Sequence, residues 1–383
     1  MRVLVFSSLY PNTAQPRHGI FIEQRVRRLH EAGLAVSVVA PVPWFPSTHP
    51  RFGSYATLAA VPRRDQRHAI DVLYPRYPVV PKVGMTIAPA LMAAATLPML
   101  RRLVATADYD LMDAHYFYPD GVAAVWLARR LGLPVAVTAR GSDINVIGNY
   151  RLPRRMLRWA ARKADSVITV SDALRVRFGE LGADASEISV LTNGVDLELF
   201  RPEDDGGAVE VDTLLSVGNL TENKGHHLVI DALALLPHKQ LIVVGDGPMR
   251  GELTRQVDAR GLSDRVQFRG VMPQEALRQL YAQAGTLVLA SASEGMPNVV
   301  LESLACGTPV VATPVGGVPE VMTAPEAGVL LKTRSATAIA EAVERLDRRR
   351  PATAEVRAFA ERFGWVSTTQ QQIALYTDVA RRK

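Results

Sequence analysis

Cysteine is almost missing from this 383-residue chain. Cys306 is the one thiol, so no intrachain disulfide can form, which is compatible with a reducing compartment. Within ACGTP it reads as a small buried hydrophobe at a helix end. Metal-ligand spacing is missing too: His226 and His227 stand side by side, no other histidine or cysteine lies at a ligand interval from them, and no metal or other cofactor is expected. No strand is followed by the G-x-G-x-x-G fingerprint with its distal acid, which argues against a dinucleotide-dependent enzyme. Short-period repeats and low-complexity tracts are absent, which excludes solenoid arrays. Helix-turn-helix, finger and RNA-stacking motifs are not found either, so nucleic acid is not an expected partner. The opening MRVLVFSSLYP has an apolar run too short for a signal-peptide core; it reads as a first strand, and export is not expected. Val83 to Leu100 is uncharged and of membrane-spanning length. With Pro89, Pro98, several alanines and two threonines it makes a poor span, and a buried helix of the first domain is expected.

What the chain does have is length and apolar content. Its 48% hydrophobic against 21% charged residues describe a globular protein with enough sequence for two cores. The net charge of +6 is unevenly placed: residues 1–200 hold 24 Lys and Arg against 16 Asp and Glu, and the remainder hold 20 against 22. All the positive excess belongs to the first half, where a membrane or phospholipid acceptor fits better than nucleic acid.

Strands and helices alternate along the first half, as in a doubly wound domain. Val3 to Phe6 reads as a strand, Ser7 to Gly19 as a loop, Ile20 to Ala32 as a helix and Ala35 to Val39 as a strand. Gly19, at the helix start, is placed to let the loop approach a phosphate. Pro41 to Pro81, rich in proline and aromatics, reads as an extended surface excursion on the acceptor side. His115 ends a strand and precedes a helix, the position where open α/β sheets bind ligands. Arg140 and Asp143 follow the next strand; Arg140 is a candidate for an anionic acceptor, and Asp143 for that acceptor or for capping the next turn. Residues 150–164, YRLPRRMLRWAARKA, form a basic amphipathic helix suited to anionic lipid or to a solvated face. The acidic stretch up to Gly207 reads as a linker, dividing the chain into 1–200, 208–364 and a terminal helix at 365–383.

The second half opens with a strand at Thr213 to Val217, and Lys224 follows it just before a helix, where an ammonium neutralises a diphosphate. Strands ending near Val244 and Phe268 point to the same rim. The most informative stretch is Ser293 to Glu320, SEGMPNVVLESLACGTPVVATPVGGVPE, which reads as strand, loop, helix (Pro297 to Ala305) and strand (Val310 to Ala312). Pro297 suits the first turn and Gly307 the position just past the end. The first amides of that helix, at Asn298 and Val299, have no partner inside it and suit a phosphate. Glu294 lies before this tip and Glu302 roughly 6 Å further along the axis. Two hydroxyl-accepting carboxylates therefore flank one phosphate site.

Glu294 and Glu302, with GMPN after the first acid, ACGTPVVAT after the second and GGVPE beyond, resemble the E-x7-E signature of retaining glycosyltransferases of family 4, particularly bacterial enzymes of surface-polysaccharide assembly. The resemblance covers nearly the whole chain. It implies the GT-B fold: two Rossmann-like domains facing a cleft, the first for the acceptor and the second for a nucleotide diphosphate sugar, with a C-terminal helix crossing back to the first. It further implies that Glu294 contacts the transferred sugar, that Gly295, Met296, Pro297, Asn298 and Val299 hold sugar and diphosphate, and that Glu302 holds the ribose. Lys224 would serve the diphosphate together with an arginine whose place is taken here by Asn219. His115 would touch the donor sugar, Gly19 would lie between donor and acceptor, and the backbone around Arg269 would hold the base. Many relatives have histidine where Arg140 stands. The implied activity is transfer, with retention, from a UDP-sugar or GDP-mannose to a glycan or lipid-linked acceptor, in a cytoplasmic enzyme with peripheral contact at the inner face of the membrane. A nucleotide-sugar epimerase on a similar fold is the alternative.

Overall fold

The structure is a computed structural model that describes residues 1–49, 51, 53–79, 84–203 and 209–382. It resolves into two compact units, Met1–Thr192 with Val366–Lys383, and Asn193–Trp365.

In the first unit, β1 (Arg2–Phe6), α1 (Ile20–Glu31) and β2 (Ala35–Val39) are followed by β3 (Arg64–Arg67) and β4 (Ile70–Leu73), then α2 (Gly84–Thr106), β5 (Leu111–His115), α3 (Val122–Leu131), β6 (Val135–Ala139), α4 (Arg151–Lys163), β7 (Ser166–Thr169) and β8 (Ile188–Val190). The strands form one sheet in the order β8-β7-β6-β5-β1-β2-β4-β3, parallel except for the β3–β4 pair. β5 and β6 are buried along their whole length, as strands covered by helices on both faces must be. α1 presents Ile22, Val26 and Leu29 to the core at helical spacing.

Two expectations change here. The Pro41 to Pro81 stretch is not only a surface excursion: its second half supplies β3 and β4, and Ile70, Val72 and Tyr74 are buried in the core. Alternation of apolar and polar residues in Ile70–Leu73, which lies just inside the edge strand β3, carried that signal. The helix expected within Val83 to Leu100 is present as α2 and extends to Thr106, but it is not buried. Met92, Thr96 and Leu100 form an inward stripe, while only 28% of the most apolar stretch is covered.

The second unit runs β9 (Glu210–Val217), α5 (His226–Ala234), β10 (Gln240–Val244), β11 (Val266–Gly270), β12 (Ala284–Leu289), α6 (Asn298–Ala305), β13 (Val310–Ala312) and β14 (Gly328–Leu330), with further helices between and after them. Its sheet is wholly parallel, in the order β11-β10-β9-β12-β13-β14. The C-terminal helix α7 (Trp365–Arg381) returns to the first unit, where Tyr376 is fully buried among core residues.

The acidic stretch read as a linker falls largely on 204–208, outside the described residues. The division comes earlier than 200, after Thr192, because the following residues are tied into the second unit. Val195 N donates to Phe363 O at 2.9 Å, Arg357 Nη1 and Nη2 donate to Phe200 O and Leu197 O at 2.7 and 3.0 Å, and Arg278 pairs with Glu203 at 3.1 Å.

Candidate active site

The second sheet starts in its middle with β9, grows outward to β10 and β11, and resumes on the other side with β12. Open parallel sheets bind ligands beyond the carboxyl ends of the strands at such a reversal. The loops leaving β9 and β12 carry Lys224 and Glu294. Lys224 Nζ lies 2.6 Å from Glu294 Oε1, and Ser291 Oγ donates to the same oxygen at 2.6 Å. The Glu294 side chain is 9% exposed and that of Lys224 25%, so the pair keeps limited access to solvent and ligand.

Close backbone packing holds this arrangement. A Cβ on Gly225 (φ +71°) would stand 2.1 Å from Ala290 O, and one on Gly316 (φ +55°) would stand 2.2 Å from Glu294 O. Only glycine meets both the left-handed conformation and the contact. Asn223 joins the two loops: its Nδ2 donates to Ser293 O at 3.0 Å and its carbonyl accepts from Ala292 N at 2.7 Å. Gly317 N donates to Gly295 O at 2.8 Å, so the GGVPE turn braces the Glu294 loop from behind.

Helix α6 starts at Asn298, one residue later than expected, because Pro297 is extended (φ −80°, ψ 107°) and serves as its N-cap. No side chain caps the helix. Proline offers no side-chain acceptor, so the amides of Asn298 and Val299 present the positive end of the helix dipole to whatever anion lies ahead. The Asn298 side chain is engaged elsewhere, with Oδ1 accepting from Asn193 Nδ2 at 2.8 Å. Gly295, Met296 and Pro297 are buried and form the floor of the loop. Gly307 (φ +80°) closes the helix at its other end. One turn into α6, Glu302 Oε2 accepts from the buried Tyr281 hydroxyl at 3.1 Å. Burial pushes the Glu302 carboxyl up to about 7, against the pull of the tyrosine hydrogen bond. Asn219, after β9, is exposed and uncharged; Arg269, on edge strand β11, is exposed and donates to Gln267 Oε1 at 2.8 Å.

The candidates in the first unit gather into a different kind of site. His115 is fully buried, with Nε2 2.9 Å from Asp113 Oδ2 and Nδ1 2.8 Å from Arg140 Nη2. Burial holds its pKa down to about 4, so the ring is neutral and accepts from Arg140 through Nδ1. The imidazole is thus enclosed between Asp113 and Arg140 within the first unit. Arg140, read as an acceptor contact, likewise turns inward: besides His115, it lies 5.5 Å from the centre of the Phe21 ring. Asp143 is buried and accepts from the backbone amides of Phe117 at 2.6 Å, Gly141 at 2.8 Å, and Arg140 and Ile144 at 3.1 Å. It therefore organises the turn after β6, as the capping reading has it. Gly19 (φ +75°) is the N-cap of α1, and a Cβ there would stand 2.3 Å from Leu9 O. Beside it, Ser8 donates to the buried Asp120 through its amide (2.6 Å) and hydroxyl (3.0 Å), joining the loops after β1 and β5 at this sheet's own reversal.

Two family patterns divide the chain between them: that described as Glycosyltransferase Family 4 matches residues 19–199, and that described as Glycosyl transferases group 1 matches 204–362. A Bacillus subtilis protein named for teichuronic acid biosynthesis, the glycosyltransferase TuaC, is 30% identical over 361 residues, 91% of this chain and 89% of its own. The chain belongs to glycosyltransferase family 4. The D-inositol 3-phosphate glycosyltransferase of Mycobacterium tuberculosis is also 30% identical, across 70% of this chain but only 61% of that protein. The fold is GT-B. Sucrose-phosphate synthase of Thermosynechococcus elongatus superposes with a TM-score of 0.80 at 22% identity, covering 100% of this chain and 99% of that one. Anabaena HepE, solved with UDP-glucose, superposes with a TM-score of 0.75 at 23% identity, covering 98% and 99%.

In this family 4 enzyme the structure brings Lys224, Glu294, the 295–299 loop and Glu302 together in one unit. Ser291 and Asn223 were not singled out from the sequence, although Ser291 sits three residues before Glu294 in the same loop. Asp113 was missed as well; it lies two residues before His115 on a strand, hence on the same face. Arg25 and Tyr376, from α1 and α7, surround the same carboxylate: against the cost of burial, Asp113 is held below the usual carboxylate range by His115 first, then by Tyr376 and Arg25. One Asp-x-Asp pair occurs, Asp108 and Asp110, but Asp110 accepts from Arg2 N at 2.6 Å at the opposite, amino end of the sheet. Among the described residues no group of three or more His, Cys, Asp or Glu is placed to share a metal ion.

Proposed function

We propose that this glycosyltransferase moves a sugar, with retention of anomeric configuration, from a nucleotide diphosphate sugar to a glycan or lipid-linked acceptor in bacterial surface polysaccharide or glycolipid assembly. A UDP-sugar is favoured over GDP-mannose. The observation that carries the reading is the side-chain-uncapped tip of α6, with the Lys224–Glu294 pair and Glu302 in the same unit. A leaving diphosphate needs fixed positive charge as the glycosidic bond breaks, and catalysis of this kind is chiefly electrostatic. Lys224 and the amides of Asn298 and Val299 supply that charge without a metal. Glu294 orients the sugar, Glu302 receives the ribose hydroxyls, and the acceptor is recognised by the first unit. The UDP and UDP-glucose complexes of HepE and the name of TuaC support the donor class and the pathway class. The enzyme is taken to work in the cytoplasm, with residues 150–164 touching the membrane.

A panel of nucleotide sugars tested by thermal shift identifies the donor, because a true donor raises the melting temperature by mass action. NMR of the product then reads the anomer. An α-linked product from an α-linked donor supports the proposal, and inversion overturns it. Epimerised donor formed without acceptor would favour the epimerase alternative.

A further inference from the structure

Three helices of the first unit that pack against one another, α2, α3 and α4, share a charge pattern unlike the rest of the chain. Together they carry nine arginines and one lysine and no carboxylate. The apolar side chains among those cations are incompletely covered. α2 is long and apolar enough to cross a bilayer by length and composition, yet it packs along one stripe on α3, and Met85 (42%) and Ile87 (37%) at its start are exposed. On α4, Leu152 is 52% exposed, and Tyr150 before it 50%. A groove of about 480 Å³ opens between α2 and α3, lined by Ala90, Ala94, Leu97, Trp126 and Leu127, with Arg130 at its edge. A second depression beside it has Trp126 and Trp159, their ring centres 5.5 Å apart, with Leu152, Met156 and Arg155 around them.

We infer that this three-helix face docks on a bilayer containing anionic phospholipid, with the arginines over the headgroups and one acyl chain seated in the α2–α3 groove. The inference deepens the membrane contact proposed above and adds α2 and α3 to it. Several features select a lipid surface over a protein partner. None of the three helices carries an acid, and Arg130 and Arg155 stand at the edges of the two depressions, so this face repels a second copy of itself and matches a surface of one negative sign. Indole rings and exposed aliphatics set between arginines are the arrangement that sits at a headgroup and acyl boundary. Small residues, Ala90 and Ala94, leave a channel whose walls are carbon, with polar groups only at its rim, as a hydrocarbon chain requires.

Flotation of the full-length protein with vesicles of phosphatidylcholine alone, and of phosphatidylcholine with about one third phosphatidylglycerol, tests the docking directly. The protein is expected to float with the anionic vesicles at least about tenfold better than with the neutral ones, and to be released by high salt. Arg151→Glu with Arg155→Glu should abolish flotation. Leu152→Asp and Ala94→Asp, both at exposed positions, should each weaken it with circular dichroism unchanged. Flotation that survives salt and alkaline carbonate would overturn the docking in favour of an embedded helix. Flotation insensitive to Leu152→Asp and Ala94→Asp would reduce the docking to a contact by charge alone and overturn the acyl-chain groove. No flotation, with a dimer in analytical ultracentrifugation, would assign the face to a second copy. Thermal shift with UDP on the same samples reports the donor site separately, so failure of docking and failure of the transferase reading are told apart.

Discussion

Lys224 Nζ and Glu294 Oε1 stand 2.6 Å apart, on loops that leave the two strands flanking the reversal point of the second sheet. In this arrangement the lysine's charge is held by a carboxylate until a diphosphate competes for it. Lys224→Ala should weaken donor binding and lower turnover by about 10²–10³-fold, the usual loss for one electrostatic stabiliser. Glu294→Gln keeps the shape of the side chain and should lower turnover by a similar factor with the fold intact. Steady-state kinetics with thermal melts check both, and near-normal turnover removes the residue from the site.

Gly225 and Gly316 pin that pair by contacts no other residue fits. Gly225→Ala or Gly316→Ala should cost about 2 kcal/mol or more, from left-handed strain and backbone clash together. Gly261 (φ +64°), with open space around its Cβ position, should cost about 1–2 kcal/mol, since only the strain remains. Urea denaturation of the three variants measures the contrast.

In the first unit, Tyr376 on the returning helix is fully buried, accepts from Gln372 Nε2 through its hydroxyl, and is one of the groups that favour the ionised Asp113 carboxylate, which faces His115. Tyr376→Phe should destabilise by about 1–3 kcal/mol by leaving the buried Gln372 amide without its hydroxyl acceptor. The readout is the urea midpoint.

The titrating groups give opposed pH trends. Burial holds His115 and His226 down to about 4, below the usual 6.5, so the stability they contribute is present above pH 6.5 and is lost as pH falls toward 4. Glu302 behaves the other way: its carboxyl is raised to about 7, so its contribution is present below pH 4.5 and is lost as pH rises through 7. For ribose binding the ionised carboxylate is the better acceptor, so UDP affinity should fall as pH drops from 8 to 6. Glu302→Gln should flatten that profile in calorimetric titration.

Much of this was legible in the sequence, and the reasons are local. Val310–Ala312 and Ala35–Val39 are apolar runs bounded by turn residues, and their limits were read without change. Gly307 marked the end of α6 because a left-handed residue was needed there. Ile70–Leu73 hid inside a stretch dominated by proline and aromatics, where turn residues drowned a four-residue alternation. His115, Arg140 and Asp143 were legible as chemistry but not as orientation: whether a polar residue at a strand end faces ligand or core depends on partners such as Asp113, Arg25 and Tyr376, which lie far along the chain. The exposure of α2 was illegible for a similar reason, since composition alone does not say which apolar helix finds a cover.

The central claim is that the tip of α6 grips the donor diphosphate. A crystal structure of the enzyme with UDP tests it most directly. The account predicts a phosphate oxygen about 2.9 Å from the amide of Asn298 or Val299, with Lys224 turned toward it and Glu302 on the ribose. Phosphates bound away from those amides, with the Lys224–Glu294 pair unchanged, would contradict it.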